Sequence, residues 1–168
     1  PQPCQGHSTT HLTSYHDDGN EEDSLIVFGG RLNNPRTNSK QRKRGVRTYT
    51  NHMYRYSMAD RTWRCIVPRN ANEADVPSPR HNHSAVMVNR ADDSGDVSGL
   101  NRGVKMIIYG GSGVDGYLDD VYCFDFESQV WERWECSGAD DEKPGARHGH
   151  TACLLNNDQM IVFGGKVG

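Results

Sequence analysis

Three short apolar runs punctuate the chain: Leu25-Ile26-Val27-Phe28, Met106-Ile107-Ile108-Tyr109 and Met160-Ile161-Val162-Phe163, each closed by a diglycine. Four consecutive apolar residues between polar flanks and glycine are too short for a helix. They also lack the alternation of a strand with one wet face, so each predicts a strand covered on both sides. Upstream of each run lies a stretch led by His and Ser or Thr, plainest in "HTACLLN". It predicts a hairpin partner that turns at Asn156-Asn157-Asp158. Downstream the pattern changes to strict alternation, with Tyr122, Phe124 and Phe126 on one side of "DVYCFDF". A further strand, "VWERWEC", follows across Glu127-Ser128-Gln129. The unit reads as four antiparallel strands.

The unit recurs. Pro1, Pro77 and Pro144 align, then His7, His83 and His150, then Ser8, Ser84 and Thr151, then Gly29-Gly30, Gly110-Gly111 and Gly164-Gly165. The alternating block occurs twice, matching Tyr54 to Tyr122, Tyr56 to Phe124, Met58 to Phe126 and Trp63 to Trp131. Gly111 and Gly165 stand 54 residues apart, which gives the bare period. Where copies differ in length, the excess falls between strands: 24 residues separate Gly30 from Tyr54, but 11 separate Gly111 from Tyr122. Such self-similarity marks a repeat array.

An apolar strand ending in diglycine, Tyr and Trp at fixed spacing, then Pro-x-Pro-Arg-x-x-His resembles the kelch repeat, whose period is about 50 residues. The resemblance covers nearly the whole chain. It implies an all-β fold, a kelch-type β-propeller fragment of four-stranded antiparallel blades. Residues 1–67 form the first blade, with a basic insertion 31–50 between its second and third strands. Residues 77–136 form the second, with an insertion 90–104 between its first and second strands, and 144–168 form the first half of a third. Two positions depart from the pattern: Ala146 replaces the second Pro, and Cys4 stands where Arg80 and Arg147 stand, so the first copy is the most altered. About two and a half blades fall short of the four to eight of known propellers. The expectation is therefore a segment of a longer ring, closed by further blades in cis or by a second chain. The glycines fit a structural task, since they permit φ > 0 and close backbone approach.

In kelch adaptors the residues after Pro-Arg, with the loops on the same side, form a rim that grips a partner peptide. By position the resemblance points to Arg80, His81 and Asn82 in one blade and Arg147, His148 and Gly149 in the next. It implies a protein–protein interaction module without a cofactor. The alternative is the propeller portion of a kelch-containing enzyme of oxidase, specifier or phosphatase type, with catalytic groups outside this segment.

Charge adds one feature. The net charge of −3 is unremarkable, but Arg36, Lys40, Arg42, Lys43, Arg44 and Arg47 crowd one loop without an acid. "DDGNEED" forms an acidic loop assigned to the opposite end of the blade. A basic loop suits an acidic or phosphorylated protein segment. Nucleic acid is disfavoured because Tyr49 is the one aromatic beside it. No apolar run approaches the roughly 18 residues of a membrane span. Five scattered cysteines without a Cys-x-x-Cys pair suit reduced thiols, hence the cytoplasm or, as second choice, the nucleus.

Three sharper readings are weaker. "GSGVDG" fits a dinucleotide-binding fingerprint, but a strand pattern follows where that site needs a helix. His81-x-His83 and His148-x-His150 place paired imidazoles on one strand face, as a metal could use, yet no carboxylate or thiolate recurs beside them. Ser84 and Thr151 adjoin histidines in sequence, but neighbouring strand residues face opposite ways, so no nucleophile–base pair forms there.

Overall fold

A computed structural model describes residues 1–2, 4–15, 21–32, 48–70, 73–89, 103–136, 143–155 and 159–168. The first repeat comprises β1 (Cys4–Gln5), β2 (Ser8–Tyr15), β3 (Glu21–Phe28), β4 (Arg31–Leu32), β5 (Thr48–Tyr49), β6 (Met53–Ser57) and β7 (Thr62–Ile66). The second comprises β8 (Ser84–Asn89), β9 (Val104–Ser112), β10 (Tyr117–Asp125) and β11 (Val130–Trp134). The third has β12 (Arg147–His148), β13 (Thr151–Leu155), β14 (Gln159–Phe163) and β15 (Lys166–Val167). Among the described residues helix is confined to one 3-10 turn, Glu73–Asp75.

Two four-stranded antiparallel sheets, β2-β3-β6-β7 and β8-β9-β10-β11, are followed by the two-stranded β13-β14. The fold is thus all-β, with the blade as its unit. Both hairpins between third and fourth strands turn the same way. Arg61 and Gln129 adopt φ of 57° at matching positions. Asp125 Oδ1 accepts the amides of Glu127 and Ser128, while Ser57 Oγ accepts the amide of Asp60. These local side-chain bonds fix a turn that the sequence pattern placed correctly.

The second half of the acidic stretch is strand and not loop, while residues 17–20 lie outside the described residues. Glu21, Glu22 and Asp23 lie in β3, where Glu22 pairs with Arg55 and Asp23 accepts from Thr13 and binds His11. Cross-strand partners for the carboxylates extend the hairpin beyond its apolar run.

The core lies between blades. Leu12, Ile26, Phe28 and Met53 of the first blade pack against Met106, Ile108, Tyr122, Phe124 and Trp131 of the second. Val86, Val88, Ile107 and Cys123 of the second pack against Ala152, Leu154 and Met160 of the third. The run Met106–Tyr109 is buried on both faces, as its continuous apolarity predicts. The same run in the third blade, residues 160–163, alternates between half-buried and exposed. The difference lies in stacking, because only the second blade is flanked on both sides here.

Candidate functional site

The chain returns to one end of each blade through its diglycine, where all six glycines have φ between 61° and 113°. A Cβ on Gly111 would lie 2.9 Å from both His81 O and His83 Cβ, so a side chain is excluded. Just before the first strand of each blade, Gly6, Asn82 and Gly149 occupy equivalent positions with φ of 66°, 54° and 67°. Asn tolerates this conformation better than most residues. Here the Asn82 amide donates to Gly6 O at 2.7 Å, and the Gly149 amide donates to Asn82 O at 2.8 Å. A backbone ladder therefore runs from blade to blade.

The left-handed residue separates the two histidines that a continuous strand would have kept on one face. His81 turns to the blade end. Its Nδ1–H donates to Ser112 O at 2.8 Å, and its ring stacks on Tyr49 of the first blade, 4.8 Å away at 21°. His148 repeats the arrangement one blade on, 4.4 Å from the Tyr117 ring and 6.4 Å from His81. From sequence Tyr49 is only the aromatic beside the basic loop and Tyr117 carries no role, although each stands five residues before one of the aligned pair Tyr54 and Tyr122. Opposite them in register stand Arg31 and Ser112.

Arg80 does not join this rim. It is 0% exposed. Its Nε donates to Ser78 O, Nη1 to Gly110 O and Asp120 Oδ1, and Nη2 to Ser78 Oγ and Asp120 Oδ2. The guanidinium also lies 5.5 Å from the centre of the Tyr122 ring. A bidentate carboxylate and three further acceptors explain how a charge can be fully buried. They leave no donor for a partner, so the sequence-based placement of Arg80 in the rim is corrected. Arg147 is half-buried, its Nε donating to Gly145 O and its Nη1 to Gly164 O. In the first blade Cys4 and His52 stand where Arg80 and Asp120 stand, and a cavity of about 180 Å³ opens beside them.

His83 and His150 turn inward and bind the preceding blade. His83 Nε2 and Ser8 Oγ lie 2.8 Å apart, as do His150 Nε2 and Ser84 Oγ. These Ser–His contacts cross a blade junction, which no adjacency in sequence reveals. They do not form a hydrolytic pair. The Nδ1 atoms of both rings are buried without a partner, so no carboxylate orients them. Burial, with the Arg80 charge, pushes His83 down to about 3, far too weak a base for a serine at neutral pH. Burial also lowers His150.

That depression links stability to acid. The unfolded chain binds a proton on this imidazole near pH 6.5, whereas the folded chain binds it only near pH 3. His83 therefore supports the fold fully above pH 6.5, and its contribution declines as pH falls from 6.5 toward 3, by about 1.4 kcal/mol per pH unit. Urea midpoints measured from pH 7 to pH 4 should fall, and the His83→Gln variant should show a shallower decline.

Arg36, Lys40, Arg42, Lys43, Arg44 and Arg47 lie outside the described residues, as does most of the insertion 90–104. Leu32 and Thr48 pair with each other beside Tyr49, whose ring meets His81. Among the described residues no three His, Cys, Asp or Glu side chains cluster as a metal site. All five cysteines are free thiols, and burial raises Cys123 to about 12.

A family model described as the KLHDC2/KLHL20/DRC7 Kelch-repeats domain matches residues 1–168. Host cell factor 2 of Homo sapiens is 30% identical over 171 residues, covering 99% of this chain and 18% of that protein. Host cell factor homolog hcf-1 of Caenorhabditis elegans is 29% identical over 123 residues, 71% of this chain and 15% of its own length. Tip elongation aberrant protein 1 of Schizosaccharomyces pombe is 28% identical over 170 residues, 100% of this chain and 12% of its own. The chain thus spans less than a fifth of these curated relatives. Among solved structures, that of YjhT superposes with a TM-score of 0.50 at 12% identity, over 94% of this chain and 33% of that one, a likeness of fold.

Proposed function

Since the chain belongs to this kelch-repeat family, we propose that it is a protein–protein interaction module whose binding rim lies at the blade ends carrying Tyr49, His81, Asn82, Tyr117, His148 and Gly149. The observation that carries this reading is a division of labour between repeated positions. The His that leads the first strand, buried in the second and third copies, recurs in every copy with the Ser or Thr after it and the diglycine. The rim positions vary, with Gln5, His81 and His148 at one and Gly6, Asn82 and Gly149 at the next. A rigid frame presenting variable residues is how repeat scaffolds encode a partner.

The partner is an acidic or phosphorylated protein segment, steered by the six cations between Leu32 and Thr48. Arg147 contributes charge at the far side of the rim. Further blades, in cis or from a second chain, complete the ring, and the cytoplasm is the compartment, with the nucleus as the alternative. An array of acidic peptides, their phosphorylated forms and charge-matched scrambles tests this. Binding should weaken about tenfold on replacing Arg42, Lys43 and Arg44 together with Ala, and again on His81→Ala. Peptides captured equally by parent and variants, or no peptide captured while single-stranded RNA binds, would overturn it.

A further inference from the structure

We propose that His81 meets a carboxylate of the partner as an imidazolium, so that each capture at the rim takes up a proton from solvent. This rests on the rim reading above and deepens it by naming the atom that receives the acid, Nε2 of His81.

Three contacts with one residue fix the ring. The His81 amide donates to Ser112 O at 3.0 Å, the Ser112 amide donates to His81 O at 2.9 Å, and Nδ1 lies 2.8 Å from Ser112 O. Tyr49 stacks on the imidazole. The residue is 9% exposed, yet Nε2 has no partner among the described residues and is not sealed from solvent. A carbonyl oxygen only accepts, so the single proton of the neutral ring stands on Nδ1. Nε2 is then a bare lone pair, which repels a carboxylate. Carrying a second proton, the same atom is a cationic donor already aimed. A lone donor of this kind matches one carboxylate oxygen.

The neighbouring groups do not offer the same contact. Arg80 is committed to Asp120, Ser78 and Gly110. His148 is closed at both nitrogens: Nδ1 faces the Asn82 amide nitrogen at 3.5 Å, and Nε2 is buried. In the first copy the position of His81 is held by Gln5, a neutral residue whose Oε1 accepts from Arg31.

The charges around His81 oppose its protonation until an anion arrives. His148 lies 6.4 Å away, with Lys166 opposite it in register, and Arg31 stands opposite Tyr49. On the segment of His81 itself, Arg80 is balanced by Asp120, and His83 stays neutral at ordinary pH. Among the described residues His81 forms no ion pair. His148 registers the same field, since burial, then His81 and Lys166, lower it. A carboxylate on Nε2 favours the proton, and the proton favours the carboxylate by the same factor. Affinity therefore rises as pH falls through the imidazole range.

The probe is an acetylated, amidated tetra-aspartate peptide, whose carboxylates remain ionised between pH 6 and pH 8. It is titrated into the 168-residue protein, with anisotropy of a labelled peptide giving affinity. Calorimetry at pH 7 in two buffers of different ionisation enthalpy counts protons. Binding about fivefold tighter at pH 6 than at pH 8 is expected, with net proton uptake. In the parent protein the His81 Hε1 resonance should titrate at a higher pH with peptide bound than without it. His81→Gln, which installs the residue of the first copy, should abolish the uptake and hold the pH effect below about twofold. His11→Gln, on the β2–β3 hairpin beside Asp23, should leave both unchanged. Equal affinity at the two pH values, an unmoved His81 resonance, or uptake that persists in His81→Gln would overturn the assignment. Binding that ignores pH yet shifts the Tyr49 and Tyr117 ring resonances would remove this inference alone. No binding of millimolar peptide at pH 6 would remove the acidic-partner reading with it.

Discussion

Replacing Asp120 with Ala is expected to destabilise the protein by about 3–5 kcal/mol, among the largest effects of any single substitution outside the apolar core. The reason is Arg80. Wholly buried, it relies on Asp120 for two of its five hydrogen bonds and for its counter-charge. Removing the carboxylate leaves a cation in the interior with two neutral carbonyls and a hydroxyl. Neutralising both partners at once, as Arg80→Met with Asp120→Leu, should cost far less, because no unpaired charge remains. Urea unfolding of the two single variants and the double variant measures the coupling directly. Additive losses would mean the pair is not a unit. The first blade supports the coupling from sequence, since both members are replaced together there, as Cys4 and His52.

Trp131→Ala should cost about 3–5 kcal/mol, while the same change at the equivalent Trp63 should cost about 1 kcal/mol. The two residues hold the same place in successive repeats, on fourth strands opposite Phe124 and Tyr56. Their surroundings differ. Trp131 is 2% exposed, wedged 5.3 Å from Phe28 of the neighbouring blade and 5.1 Å from Phe124. Trp63 is 44% exposed and meets Tyr56 of its own blade. Local geometry is matched, so the difference isolates blade-on-blade packing. Equal losses measured by denaturant midpoint would place the stabilising contacts within each sheet and not between sheets.

What the sequence discloses and what it conceals divide along the same line. Within a blade, order and strand boundaries follow from short-range pattern: the apolar run before a diglycine, the alternation of Tyr122, Phe124 and Phe126, and the turn at Glu127-Ser128-Gln129. Between blades, partners lie far apart along the chain. Ser84 meets His150 and Ser8 meets His83, and neither pair leaves a local signature. The misplacement of Arg80 has the same origin. Its carboxylate lies 40 residues away, and a charged residue in a loop reads as exposed until that partner is known. The tyrosine–histidine contacts at the blade ends were half legible. His81 and His148 follow from position after the Arg of the motif, but the tyrosines that meet them, Tyr49 and Tyr117, emerge only when the alignment of Tyr54 with Tyr122 is carried five residues back. His81 and His83 diverge because Asn82 takes a left-handed conformation, which a two-residue spacing does not report.

The most direct test of the stacked-blade account is a proton NOE measurement between tyrosine and histidine rings in the selectively labelled protein. Contacts from Tyr49 to His81 and from Tyr117 to His148 are predicted, with ring centres 4.8 Å and 4.4 Å apart across two successive junctions. NOEs confined to strands of one sheet, with both of these absent, would show that the repeats fold without stacking in this order.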